Sequence, residues 1–328
     1  MMKLFKLHLL CLLLLVFPLS ACGQSTPIQP STTESDWSYI FTDSSGAEVT
    51  LTRKPATVAV LFSSYAEIWT LAGGTVSVTV GESIDRGFVA RDTPLVDSGA
   101  GKTIDLELLL AAQPDFIIGS ADLEAQADAC RIMSEAGIPA ALFQVDTFED
   151  YLSMLKICTD ITGNEAAYAE HGTVVADEIA RITSSVERHL SENPNEKRDF
   201  LLIRAGSQYS ATKAKRAPDN FVCVMLDELG GHNIADEATL LLDGLSLEEI
   251  LLQDPEHIFL TTMGSEDAAK AYIEDLFRQD GWSSLDAVKT GRYTFLPKEL
   301  FHYKPNARWA DAYACLAELL YPELNWNA

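Results

Sequence analysis

Basic and aromatic side chains concentrate in two stretches of this acidic chain. The first stretch, residues 200–218, contains four basic residues and no acidic one, and the second spans 297–308. Their candidate ligand-binding residues are Arg204, Tyr209, Lys213, His302, Tyr303, Lys304 and Arg308. Cations pair with carboxylates or phenolates, and rings cover apolar area, so together they suit a flat or bulky organic anion. The alternative is that these residues belong to solvated loops and a packed terminal helix.

A further set of candidates lies in the first half of the chain, where a predicted strand at 57–62 meets a helix. Ser64 and Tyr65 stand at that helix N-terminus, which favours contact with an anion or a hydroxyl group. The serines there are also expected helix caps, so Tyr65 is the stronger ligand candidate. Arg86 follows the next predicted strand and could reach the same place.

Motifs for catalysis or metal binding are missing from the sequence. There is no Gly-x-Ser-x-Gly and no His-Glu-x-x-His, and the histidines after the first 22 residues lack ligand spacing. We therefore expect no enzymatic activity, no resident metal and no cofactor. Four cysteines (Cys130, Cys158, Cys223 and Cys315) form no Cys-x-x-Cys pair, which leaves either one disulfide or buried free thiols.

The elements that would position these residues alternate between short apolar strands and helices. This alternation predicts parallel β-α units and an α/β fold. Residues 164–190 contain neither Gly nor Pro apart from Gly172, and their apolar spacing of three, four and seven predicts one long helix. Such a helix could join two lobes or pack wholly within one. Predicted strands lie at 57–62, 76–80, 116–118, 140–143, 200–204, 257–261 and 291–296.

Two segments of the chain share one sequence pattern. Residues 104–118 and 245–259 both have a Glu near a helix start, Glu107 or Glu248, then a Pro and a buried strand. This weak repeat supports two lobes of similar topology.

Length and charge narrow the class of protein. A chain of 328 residues is long enough for about two domains. Its formal net charge is −24, with 48 acidic residues against 24 basic ones, which argues against nucleic acid and anionic membrane surfaces as partners. In so acidic a chain the two basic stretches predict a ligand with negative charge or exposed carboxylates.

The N-terminus predicts export. Lys3 and Lys6 precede a short apolar run, and Leu-Ser-Ala-Cys22 follows it, which is the pattern of a signal peptide rather than a membrane span. The Leu-Ser-Ala-Cys ending resembles a bacterial lipobox, which implies lipidation at Cys22. Residues 23–38 then read as a flexible tether.

The body of the chain, over about 46–322, resembles the extracytoplasmic solute-binding proteins of iron-siderophore, haem and cobalamin ABC importers. The similarity rests on loose motifs in a specific order, among them Val58-Ala-Val-Leu-Phe-Ser-Ser-Tyr-Ala-Glu67, the two repeat segments, and Trp282-Ser-Ser-Leu-Asp-Ala-Val-Lys-Thr-Gly-Arg-Tyr. The resemblance implies two Rossmann-like lobes joined by a single long α-helix, with the ligand cleft between the lobes. It also implies that Glu107 and Glu248 dock onto the permease.

These observations define the expected organisation and role. We expect a signal peptide at 1–22, a tether at 23–38, lobes at 39–163 and 194–328, and an interlobe helix at 164–193. The expected function is capture of a ferric siderophore by a monomeric, lipid-anchored protein on the outer face of the cell membrane, which delivers it to an ABC permease with its ATPase. A haem or cobalamin binder of the same family, and outside it a chelatase-like enzyme, are the alternatives.

Overall fold

The computed structural model describes residues 37–99, 101–194, 196, 198–238, 245–324 and 326. The predicted signal peptide, the lipidation site Cys22 and most of the predicted tether lie outside these residues. Within the described part of the chain, no helix combines the length and the apolar character needed to cross a membrane.

The first lobe is built on a four-stranded parallel sheet in the order β4-β3-β5-β6. An antiparallel hairpin of β1 and β2 precedes it, and Gly46 in its turn has a positive φ of 84°. Strands β3 and β5 are buried along their whole length, as expected for strands covered by helices on both faces. The strands are β1 Tyr39–Thr42, β2 Glu48–Leu51, β3 Val58–Val60, β4 Val78–Thr79, β5 Phe116–Ser120 and β6 Ala140–Phe143. The helices are α1 Ser63–Leu71, α2 Gly81–Asp85, α3 Leu106–Ala111, α4 Glu124–Glu135 and α5 Phe148–Thr162.

The predicted long helix is present, and in the chain it follows the strands of the first sheet and precedes those of the second. It consists of α6 Glu165–Tyr168, a π-helical turn Ala169–Thr173 and α7 Val174–Glu192. Its buried face carries the apolar positions that the spacing predicted: Val175, Ile179, Ile182 and Val186. Gly172 lies where this helix packs closely on α5, since a Cβ there would be only 3.2 Å from the Leu152 side chain.

The second lobe is built on a five-stranded sheet in the order β11-β10-β7-β8, with β9 also paired to β7. All pairs are parallel except β7 with β8, and the sequence pattern gives no sign of β8. The strands are β7 Asp199–Ala205, β8 Lys213–Lys215, β9 His232–Asn233, β10 His257–Thr262 and β11 Tyr293–Phe295. The helices are α8 Phe221–Glu228, α9 Ile234–Glu237, α10 Leu247–Gln253, α11 Glu266–Phe277, α12 Asp286–Lys289, α13 Lys298–Phe301 and α14 Trp309–Leu320.

One hydrophobic core extends through both lobes. It includes buried residues of the first sheet, of the long helix, of β7 and α8, and of the terminal helix α14. Trp309 at the start of α14 contacts Phe148 of the first lobe and Phe221 of the second, with ring centroids 6.1 and 5.5 Å apart. Because the lobes share this core, large separations between them would expose apolar surface, which favours small lobe movements.

The four described cysteines are free thiols rather than a disulfide. Cys130, Cys158 and Cys223 are buried, and burial raises the pKa of the Cys130 thiol to about 12. Of the two alternatives, the structure therefore favours buried thiols that pack as small apolar side chains.

Candidate functional site

A cavity of about 560 Å³ lies between the carboxyl ends of the two sheets, and we call it the cleft cavity. Open α/β sheets place ligands at this edge, because the loops that follow the strands converge there. The first lobe contributes residues after β5 and β6, and the second contributes residues of β7, β10 and the segments after α13 and before α8. Its lining residues are Asp122, Gln144, Asp146, Thr147, Arg204, Ala217, Pro218, Asp219, Asn220, Phe221, Val224, Thr261, Met263, Phe301, His302 and Lys304.

On the second-lobe side, Arg204 and Thr261 occupy paired positions of the neighbouring parallel strands β7 and β10. Thr261 is only 4% exposed, and its Oγ1 has no hydrogen-bond partner among the described residues. The Arg204 Nε is likewise buried without a partner in the described chain. Buried polar atoms are ordinarily hydrogen-bonded, so these two side chains have unused capacity to bind oxygen atoms of a ligand.

On the first-lobe side, the cavity presents Asp122 and Asp146. Lys304 of the second lobe donates to Asp146 across the cavity, with Nζ 2.9 Å from Oδ1. Burial alone would raise the pKa of Asp146, but Lys304 and a hydrogen bond from Gln144 lower it. The pKa of Asp122 is raised, first by burial and then by the like charge of Asp146. Asp146 thus has an ion-pair partner at hydrogen-bond distance, whereas Asp122 has only the longer-range attraction of Lys304.

A second cavity of about 520 Å³, which we call the side cavity, is lined by Glu67, Glu82, Asp85, Arg86, Phe88, Glu299, Tyr303 and Arg308. The Arg86 guanidinium lies between two rings, 3.9 Å from the Tyr303 centroid and 4.5 Å from that of Phe88. Its Nη1 donates to the hydroxyls of Ser63 and Ser64 at 3.1 and 3.0 Å. Arg86 therefore joins α1 of the first lobe to Tyr303 of the second through cation–π contact and hydrogen bonds.

Asn306 makes a second connection between the lobes. Its side chain is fully buried, and its Nδ2 donates to the Ser64 carbonyl at 2.9 Å and to Glu67 Oε2 at 2.7 Å. Its φ of 55° lies in the left-handed region, which asparagine tolerates better than most residues. Burial raises the pKa of Glu67 in spite of Asn306 and Arg86. The segment 302–308 is thus held to the first lobe at several points.

Six of the ten ligand-binding candidates line one of the two cavities. Arg204, His302 and Lys304 line the cleft cavity, and Arg86, Tyr303 and Arg308 line the side cavity. Burial, and secondarily Lys298, lowers the pKa of His302, which favours its neutral form.

Ser64 and Tyr65, two further ligand-binding candidates, line neither of the two cavities. Tyr65 is fully buried, and its hydroxyl donates to the carbonyl of Phe143 at 3.0 Å, so the ring is part of the core. Ser64 is 1% exposed, and its hydroxyl accepts from Arg86. Neither Ser63 nor Ser64 caps α1, since both already lie inside the helix after Phe62 at the N-cap.

Tyr209 and Lys213 lie on the second lobe outside the residues that line the two cavities. Tyr209 is 54% exposed in a short 3₁₀ turn. Lys213 pairs in register with Arg204, on β8, at the edge of the second sheet. Burial, and secondarily the charge of Arg204, lower the pKa of neighbouring Lys215, so these cations lie close enough to repel one another.

The two basic stretches do not make either cavity predominantly basic within the described residues. Three carboxylates (Asp122, Asp146 and Asp219) and only two cations (Arg204 and Lys304) line the cleft cavity. In the side cavity, four carboxylates accompany two arginines. In the cleft cavity the first lobe supplies two of the three carboxylates, and the second lobe supplies both cations.

Sequence reasoning missed Asp122, Asp146, Thr261 and Asn306. The first three follow or end predicted strands, and open α/β sheets bind ligands at strand ends, so that rule could have found them. Nothing local in the sequence marks Asn306, because its partners are 239 and 242 residues away.

The two expected docking residues each lie on a short helix, one in each lobe. Glu107 and Glu248 are both exposed and both stand in the first turn, of α3 and α10 respectively. Carboxylates at that position also favour the helix dipole, so their placement has a local reason as well.

A comparison with protein-family models matches residues 58–300 to the periplasmic binding protein family. This match covers about three quarters of the sequence and includes both sheets. The chain belongs to the periplasmic binding protein family. A comparison with curated proteins finds no match.

Solved structures agree with this assignment of the fold. An ABC transporter substrate-binding protein from Listeria monocytogenes has a TM-score of 0.65 at 17% identity and covers 82% of this chain and 100% of its own. Staphylococcus aureus SirA, solved with staphyloferrin B, has a TM-score of 0.63 at 18% identity, covering 88% and 98%. The haem-binding protein RhuT from Roseiflexus has a TM-score of 0.63 at 17% identity, covering 81% and 98%.

The solved structures confirm the two-lobe α/β fold, and the family match confirms the suggested class of periplasmic binding proteins. The members are extracytoplasmic solute-binding proteins, not enzymes, and the chelatase-like alternative is set aside on that ground.

Proposed function

We propose that this periplasmic binding protein captures a ferric siderophore in the cleft cavity and delivers it to an ABC permease. The observation that carries the proposal is the pair of unused polar groups on the second lobe, Arg204 Nε and Thr261 Oγ1, in a cavity of about 560 Å³ between the lobes. A guanidinium and a hydroxyl suit the carboxylate, hydroxamate or phenolate oxygens that siderophores carry. The mechanism is capture without chemistry.

Direct loading tests this function. Purified protein from residue 23 onward should be mixed with iron-free and ferric siderophores, haem and cobalamin, separated from free ligand, and examined by absorbance. We expect a ferric chelate to co-elute with the protein at one-to-one stoichiometry. Retention of haem or cobalamin alone would contradict the siderophore assignment.

Haem is the second candidate, and a specific group of residues favours it. His302 lines the cleft cavity beside Met263, Phe301 and Phe221, so an imidazole and apolar contacts stand together. Because the fall in its pKa favours neutral His302, its ring nitrogen could bind iron. His302→Ala would abolish the shifted haem absorbance band in that case and leave ferric siderophore binding intact.

Delivery would depend on the membrane anchor and on the docking face. We propose that a lipid on Cys22 keeps the protein near the permease, which raises its effective concentration, and that Glu107 and Glu248 orient it there. These roles come from the lipobox pattern and from the family resemblance, and the exposure of both glutamates supports docking.

Two sets of variants separate these roles in cells that carry the permease. The double variant Glu107→Lys, Glu248→Lys should stay in the membrane fraction and bind ligand normally. It should reduce uptake by about tenfold or more, since it reverses the charge of both residues that are proposed to orient the protein on the permease. Cys22→Ala should leave the membrane fraction while binding ligand normally. Glu187→Lys, an exposed change on the long helix, is the matched control. Unchanged uptake in the double variant would refute docking, and unchanged fractionation of Cys22→Ala would refute the anchor.

A further inference from the structure

The cleft cavity separates charge by lobe. Its first-lobe wall carries Asp122 and Asp146, whereas its second-lobe wall carries Arg204 and Lys304. Asp219, also on the second lobe, lies 3.9 Å from Arg216 outside the cavity and so has a nearby cation of its own. A ligand held between these walls meets negative charge on one side and positive charge on the other.

Internal pairing leaves one charge of each sign available. Asp146 and Lys304 form a salt bridge at 2.9 Å, and each neutralises the other. Asp122 makes no hydrogen bond through its carboxylate to the described residues. Burial, and then the like charge of Asp146, raise its pKa, and the attraction of Lys304 offsets this only in part. Arg204, on the opposite wall, has a buried Nε that also lacks a partner in the described chain.

A built polar site accompanies the positive side. Thr261 is 96% buried, its Oγ1 has no partner within the described residues, and it neighbours Arg204 in register. An oxygen anion placed here would accept hydrogen bonds from side chains of the two adjacent strands β7 and β10. A second anion placed against the first-lobe wall would meet Asp122, which costs free energy because like charges repel in a partly desolvated cavity.

From this arrangement we propose that the ligand is zwitterionic, with a carboxylate bound by Arg204 and Thr261 and an ammonium or other cationic group bound by Asp122. The inference rests on the proposed capture of a ferric chelate and narrows the class of chelate. It predicts that zwitterionic chelates bind more tightly than chelates that carry only negative groups, the class that the charge of the two basic stretches alone would favour.

A matched series of chelates tests the proposal. The probes are linear ferric trihydroxamates that share one iron-binding core and differ at the free end, which carries an ammonium, a neutral N-acetyl group, an N-succinyl carboxylate, or a γ-glutamyl group with both ammonium and carboxylate. Affinities are measured by quenching of tryptophan fluorescence at fixed ionic strength. We expect the γ-glutamyl form to bind most tightly, and the ammonium and succinyl forms each to bind about tenfold more tightly than the acetyl form.

Two substitutions assign the charges to their walls. Asp122→Asn should remove the gain in affinity that the ammonium brings and leave the gain that the carboxylate brings. Arg204→Gln should remove the gain from the carboxylate and leave the gain from the ammonium. Asp177→Asn and Arg188→Gln, exposed changes on the long helix, are matched controls and should change neither.

The outcomes separate this inference from the proposed function. If the chelates bind but an ammonium brings no gain, or Asp122→Asn leaves that gain intact, the zwitterion is refuted and ferric chelate capture stands. If no ferric chelate in the series or in the loading screen binds, capture itself is refuted and the inference falls with it.

Discussion

Replacing Asn306 with alanine should destabilise the folded protein by about 3 kcal/mol and loosen the segment 302–308 from the first lobe. The change removes buried hydrogen bonds to the Ser64 carbonyl and to the Glu67 carboxylate, and unsatisfied buried groups cost about 1–3 kcal/mol, more when charged. Alanine at a φ of 55° adds about 1 kcal/mol of backbone strain. Urea unfolding measures the loss, and amide hydrogen exchange reports opening of the segment.

The glycine variant is the matched control for backbone strain. Asn306→Gly accepts the positive φ but also lacks the amide, so it should recover only the backbone part of the loss. Asn306→Ala with stability and exchange rates equal to those of the unchanged protein would show that Asn306 does not join the lobes.

The Arg86→Gln variant should lose about 3–5 kcal/mol at pH 8, since breaking a buried ion pair leaves its partner uncompensated. Arg86 contacts Phe88 and Tyr303, donates to Ser63 and Ser64, and lies 4.0 Å from Glu67. The Arg86 side chain is only 7% exposed, so water can replace few of these contacts when the guanidinium is removed. Arg86→Lys should not restore stability, because an ammonium cannot reproduce the planar stack between two rings.

The loss should also depend on pH, with a definite sign. Burial already raises the pKa of Glu67, and without Arg86 this pKa should rise further. A carboxyl with a raised pKa in the folded state destabilises the fold at high pH, and this penalty disappears as pH falls through that pKa and the group takes up a proton. The variant should therefore be closer to the unchanged protein at pH 5 than at pH 8. Unfolding in urea at both pH values measures this, and a loss that is equal at both would contradict it.

An exposed arginine provides the control for Arg86. Arg131 forms ion pairs with Asp128 and Glu135 on α4, with its side chain 59% exposed. Surface pairs of this kind contribute little, so Arg131→Gln should leave both the stability and its pH dependence nearly unchanged.

The sequence by itself determined the class of fold, because the signals for it are local. Short buried strands alternate with helices, and the period of the apolar residues predicted the long helix that is observed as α6, the π turn and α7. Arg204 was found because it belongs to the basic stretch 200–218, and it lies at the end of a predicted strand, where ligands bind at one edge of a parallel sheet.

Only the tertiary structure decided which residues face the cleft and with what net charge. Tyr65 looked available at a helix start, but the side of α1 that carries it packs against Phe143 of another strand. The basic stretches predicted an anion site, but acidic residues of the other lobe, Asp122 and Asp146, line the same cavity as Arg204 and Lys304. Contacts between residues so far apart in sequence, such as Asn306 with Glu67, leave no periodicity or motif, because they exist only once the two sheets and the long helix have packed.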